Sequence, residues 1–134
     1  MKISVTDVAG RTALDVMHPT LTTLAPTATL AEVEAYFASS SSHRLAAVAD
    51  DGRYVGAICA EAFAAAPHAP GQAARDLVQP HPTVGPDTAA AEARDLALAT
   101  AARRVPVVDA DGALLGVVAI DKTLTGFCGA DDGR

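Results

Sequence analysis

Two basic pairs, His43-Arg44 and Arg103-Arg104, are the residues of this 134-residue chain best suited to holding a ligand. Arginine presents a planar fork of donors that grips phosphate, so either pair could bind an anion. The same cations have a plainer use, because each pair follows a stretch of helical pattern and positive charge is favoured at a helix C-terminus. The other reactive side chains lack the company that catalysis needs. Ser41 and His43 are two residues apart, which on a helix puts them on different faces, and no third group orients the base. Asp50 with Asp51, and Asp109 with Asp111, are paired carboxylates, but both pairs stand beside a glycine, where aspartate forms turns. His18, His68 and His81 are scattered among prolines without metal-ligand spacing. Cys59 closes an apolar run and reads as a small buried hydrophobe rather than a reactive thiol. The expectation is a binding protein, not an enzyme, with no catalytic residue and no metal.

Composition narrows the partner. A net charge of -6 and a pI near 4.9 argue against nucleic acid and anionic membrane surfaces, both of which require a basic footprint. No apolar run approaches the roughly 20 residues that span a bilayer. Half of the residues are hydrophobic, enough for a core. Cys59 and Cys128 read as free thiols in a reducing cytoplasm, and the start of the chain has no signal-like pattern.

The elements that must position the basic pairs come in duplicate. The segment HRLAAVADDGRYVGAICAE, starting at His43, repeats as RRVPVVDADGALLGVVAID, starting at Arg103. An ungapped offset of 60 residues pairs Arg44 with Arg104, Val48 with Val108, Gly52 with Gly112, Gly56 with Gly116 and Pro26 with Pro86. Further back the offset becomes 61 and pairs Asp15 with Asp76 and Pro19 with Pro80, one residue having been lost in a loop. In the first copy TLTTL (20–24) is extended, and Thr29 with Glu32 has capping-box spacing that predicts a helix start. Leu30, Val33 and Phe37 recur at helical spacing, and the serine run 39–42 ends that helix. LAAVA (45–49) and YVGAI (54–58) form a hairpin around Asp50-Asp51-Gly52, and a second helix follows over 61–66. The second copy gives an extended HPTV (81–84), a helix over 88–101, strands VPVVD and LLGVV, and a final helical turn near 121–124. Residues 67–72 connect the copies, and the first eight residues are left open between a strand and a mobile lead. Each half exposes an apolar sheet face that it cannot bury alone, so the halves are expected to share a core.

This grammar resembles a tandem cystathionine β-synthase (CBS) domain pair over about residues 10–125. The carriers are DVMHP (15–19) and DLVQP (76–80), similar to the family's D-V-M-x-P entry, then HRLAAVAD and RRVPVVDADG, similar to its R-x-P-V-V-D-x-x-G core, and GAI and GVV before its last helix. The resemblance implies an α/β (α+β) fold of two β-α-β-β-α repeats around a pseudo-two-fold axis. Its boundaries are an N-terminal segment 1–9, repeat one at 10–66, a linker at 67–72, repeat two at 73–125 and a tail at 126–134.

It also implies a stand-alone regulatory module of the Bateman type, which binds an adenosine-containing or other anionic small molecule between its repeats. No cofactor is required; AMP, ADP, ATP and S-adenosylmethionine are the implied regulatory ligands. The positions carried over as ligand contacts are Thr22, Thr23, His43, Arg44, Ile58 and Glu61 in the first repeat, and Thr83, Val84, Arg103, Arg104, Val118 and Asp121 in the second. The family's hydroxyl three residues after the glycine and its aspartate three further on are missing: Cys59 and Ala62 follow Gly56, and Ala119 and Lys122 follow Gly116. Glu61 and Asp121 each place an acid one residue early, about 100° away on a helix. The alternative is therefore a ligand-free interaction module that kept the architecture and lost the site chemistry. A homodimer through repeat helices such as the Leu30/Val33/Phe37 face is expected, and a separate protein partner is left open.

Overall fold

The computed structural model describes residues 2–19 and 22–131, in two compact units. Unit 2 is the continuous stretch Thr22–His81; unit 1 combines Met1–Leu21 with Pro82–Arg134. Each unit thus takes the body of one sequence repeat and the entry motif of the other: DLVQP lies in unit 2, DVMHP in unit 1.

Strand β1 (Lys2–Ser4) and helix α1 (Ala13–Val16) belong to unit 1 and precede unit 2 in the chain. Unit 2 begins with β2 (Thr23–Leu24), then α2 (Leu30–Ala38), β3 (Leu45–Asp50), β4 (Arg53–Cys59), α3 (Ala60–Ala65) and α4 (Ala74–Leu77). The sheet order is β2-β3-β4, parallel between β2 and β3 and antiparallel in the hairpin. The capping box forms: Glu32 N donates to Thr29 Oγ1 at 3.2 Å and Thr29 N to Glu32 Oε1 at 3.1 Å. The hairpin turns at Asp51 and Gly52, with φ of 52° and 82°, the left-handed pair that matches strand twist. Val33, Ala46, Val48, Ile58, Phe63, Ala74 and Leu77 make the core, and Leu30 and Phe37 pack against it. The Leu30/Val33/Phe37 stripe, expected from sequence as a dimer face, packs against the core of its own unit. Of the 20–24 segment, residues 20 and 21 lie outside the described residues, and the strand itself is Thr23–Leu24.

Unit 1 adds α5 (Ala90–Leu98), β5 (Arg104–Val108), β6 (Leu114–Ala119) and β7 (Gly126–Asp131). The helix is shorter than the 88–101 pattern, and within 81–84 Val84 forms a bridge parallel to Val107. The helical turn expected near 121–124 is absent. Leu124 adopts a left-handed φ of 63° and the chain turns back into β7, which pairs antiparallel with β1. The first residues therefore form a strand, and residues expected as a tail supply its partner. Phe127 of β7 is fully buried beside Val105, Val107, Val118 and Ile120, closing the core as Phe63 of α3 closes unit 2.

The aspartates of the two entry motifs have a local reason. Asp15 accepts the Thr12 amide at 2.8 Å and Asp76 the Ala73 amide at 2.9 Å, each closing the first turn of a short helix. The glycines of the last strands make room for these motifs. A Cβ on Gly116 would stand 2.5 Å from His18 O, and one on Gly56 would stand 2.9 Å from Val78 Cβ.

The ladders also revise the repeat alignment. In unit 2 Leu45 pairs with Cys59, and the Ala60 amide donates to Arg44 O at 2.9 Å. In unit 1 Arg104 pairs with Ala119, and the Ile120 amide donates to Arg103 O at 3.0 Å. Arg103, not Arg104, therefore stands where Arg44 stands. The other edge agrees, since Leu24 pairs with Val48 but Val84 with Val107. The loop before β5 is one residue shorter than the loop before β3, and the β5–β6 turn is correspondingly longer. Arg103 makes the short loop with a left-handed φ of 55°, its amide bonded to Thr100 O at 3.1 Å.

Candidate functional site

The positions singled out from sequence divide six and six between the units. In unit 2, His43 sits just beyond α2, its Nδ1 2.8 Å from Tyr36 O and 3.0 Å from Ser39 Oγ. Its ring stacks on Tyr36 with centroids 4.3 Å apart. The imidazole thus joins Ser39, whose Oγ donates to the same carbonyl at 2.7 Å, in capping the helix end. Arg44 joins the loop to the sheet through its backbone, its carbonyl accepting the Ala60 amide. Thr22 and Thr23 are exposed, with Thr23 paired to Ala47; Glu61 is exposed on α3, and Ile58 is fully buried in the core. Cys59 is partly buried rather than enclosed, and its amide donates to Gln79 Oε1 at 3.2 Å. Gln79 also bridges Ala57, so this polar residue ahead of the proline in DLVQP ties the entry motif to β4.

Unit 1 separates its two arginines. Arg104 is bound into its own loop, its amide donating to Thr100 Oγ1 at 3.2 Å and its Nη1 to Ala102 O at 2.9 Å. Arg103 Nε donates to Ile120 O at 3.4 Å, while its two Nη nitrogens make no hydrogen bond among the described residues. A guanidinium held at Nε with both outer nitrogens available can still grip an anion bidentately. Val84 bridges the neighbouring strand, donating to Pro106 O at 3.0 Å and accepting from Val108 N at 2.8 Å. Thr83 is exposed, and Val118 is fully buried.

Asp121 is committed to the turn between β6 and β7. Its Oδ1 accepts Thr123 Oγ1 at 2.8 Å and Thr125 N at 3.0 Å, and its Oδ2 meets Lys2 Nζ at 3.2 Å. Its side chain is only 15% exposed. Burial pushes the carboxyl pKa up, but donors from Thr125, Thr123, Lys2 and Gly126 outweigh it and hold the group well below the usual carboxylate range. The Asp121, Thr123 and Thr125 spacing was the available sequence signal for this turn.

An open depression of about 560 Å³ lies elsewhere in unit 1, lined by Asp87, Thr88, Asp109 and Asp111 among others. Its lining includes neither Arg103 nor Arg104, and its three carboxylates repel anions. No group of three or more metal-ligating side chains occurs among the described residues, and none of their helices is long and apolar enough to cross a membrane.

A profile of the CBS domain matches residues 13–68 and again 74–122. The chain belongs to the CBS domain family, as a tandem pair with the α+β fold of that family. Among solved structures it is similar to the CBS-pair protein CBSX2 from Arabidopsis thaliana in its complex with AMP. That match has 28% identity and a TM-score of 0.69, and spans 82% of this chain and 90% of the other. A CBS domain-containing protein from Thermotoga maritima gives 20% identity and a TM-score of 0.65 over 79% and 86% of the chains. The CBS domain of a bacterial CNNM/CorC family Mg2+ transporter in complex with ATP gives 18% identity and 0.64 over 86% and 85%. No curated protein matches this chain in sequence.

Proposed function

We propose that this CBS pair is a cytoplasmic regulatory module, not an enzyme, that senses an adenosine-containing anion through Arg103. The observation that carries the reading is the Arg103 guanidinium, anchored at Nε and with no hydrogen bond at either Nη among the described residues. The AMP held by CBSX2 supports the ligand class. The hydroxyl and aspartate that the resemblance implies for ribose and phosphate are replaced by Ala119 and Lys122, so affinity rests on phosphate charge more than on sugar or base. The order ATP over AMP over adenosine follows, with binding that weakens as salt rises. His43 is already engaged with α2, which makes unit 2 the weaker of the two candidates.

The same missing groups favour a second reading, an interaction module without a ligand. Calorimetric titration with ATP, AMP and adenosine at low and high salt separates the two. Salt-sensitive ATP binding that the Arg103→Ala/Arg104→Ala double variant loses is the expected result. No heat with any of the three supports the ligand-free module, and adenosine binding as tightly as ATP rejects the phosphate-led mechanism.

A further inference from the structure

We infer that the β1–β7 ribbon is the element through which unit 1 responds to an anion at Arg103; this rests on the anion-sensing reading above. Arg103 holds Ile120 from both sides, its carbonyl accepting the Ile120 amide at 3.0 Å and its Nε donating to the Ile120 carbonyl at 3.4 Å. Ile120 is followed at once by Asp121, whose carboxylate gathers Thr123, Thr125 and Lys2. Ile120 also bridges Phe127, and the Asp121 amide donates to Gly126 O at 3.0 Å. One uninterrupted set of bonds therefore runs from the guanidinium through the turn to β7 and, through Lys2, to β1. Unit 2 has the first step, Arg44 O to the Ala60 amide, but there the chain continues into α3 and no strand returns.

The coupling has a direction. When β7 is paired, Ile120 is fixed and its carbonyl orients the guanidinium, leaving both Nη groups preset for an anion. When β7 opens, that orientation is lost, so the anion binds the closed ribbon more tightly. Linkage then requires the anion to stabilise the closed ribbon by the same factor by which closure raises affinity.

Hydrogen exchange on the full chain, with ATP as the probe and binding followed by calorimetry, tests the coupling. At ten times its dissociation constant, ATP should slow exchange of the Phe127 and Cys128 amides by up to about tenfold, the limit for a ligand that binds only the closed state. Amides of β3 and β4 in unit 2 should change little. Arg103→Gln should abolish the protection, and Asp121→Asn, which loosens the ribbon from the other end, should weaken ATP binding severalfold. If ATP binds while β7 exchange stays unchanged, or if both units slow equally, the inference is overturned and the anion-sensing reading survives. Absence of ATP binding to the wild type overturns that reading and the inference with it.

Discussion

At Gly116 a single methyl group would collide with backbone, whereas at Gly56 it would meet a side chain. The added Cβ lies 2.5 Å from His18 O and 2.8 Å from Met17 Sδ at the first site, and 2.9 Å from Val78 Cβ at the second. His18 cannot step aside cheaply, because its own amide and carbonyl both bond Val117, at 2.7 and 3.2 Å. Overpacking costs about 1–3 kcal/mol. Gly116→Ala is expected near the upper end of that range and Gly56→Ala near the lower, measured by urea unfolding. Equal losses would show that the backbone contact at His18 yields as easily as a valine. The role of these glycines was legible, since glycine within a strand pattern marks close approach. What approaches them was not, because His18 and Val78 are distant in sequence and each belongs to the entry motif of the other repeat.

Among the elements, α2, α3, α5 and the two hairpins followed their local signals, whereas the short helices α1 and α4 and the end of unit 1 did not. Thr29 and Glu32 announce α2, and Asp51-Gly52 announces the turn between β3 and β4. Near 121–124 the repeat suggested a helix by analogy with α3, yet Asp121, Thr123 and Thr125 bind one another through side chains and turn the chain into β7. The one-residue register change at β5 was hidden for a related reason: a shorter loop before the strand and a longer turn after it cancel in an ungapped alignment. The Asp121 turn also makes stability depend on acid. Its folded pKa lies below the ordinary aspartate value of about 3.9, so between the two values the unfolded chain binds more protons. The stabilisation is complete above the ordinary value and is lost as pH falls below it. Asp121→Asn should cost about 1–2 kcal/mol near neutrality. The gap should narrow below about pH 4. Unfolding curves for both proteins across that range check it, and a gap independent of pH would remove charge from the explanation.

For the whole molecule, two forces that respond oppositely to salt separate assembly from ligand binding. We propose a closed two-fold homodimer, the commonest form of assembly. Leu14 of α1 and Leu98 of α5 are 50% and 41% exposed, and these two helices pack against each other within unit 1, leaving apolar surface in place of the stripe that α2 spends on its own core. Each chain carries a net charge of -6, so pairing two copies brings like charge together. Salt screens that repulsion and leaves apolar contact intact, so dimerisation should strengthen as ionic strength rises. ATP binding at Arg103 should weaken over the same interval. Light scattering at roughly tens of micromolar, where a weak dimer is still populated by mass action, should give a dimer favoured at high salt. Leu14→Glu with Leu98→Glu should shift it to monomer. A wild type that stays monomeric at every salt concentration would refute the dimer, and a dimer that the double glutamate variant preserves would place the interface away from α1 and α5.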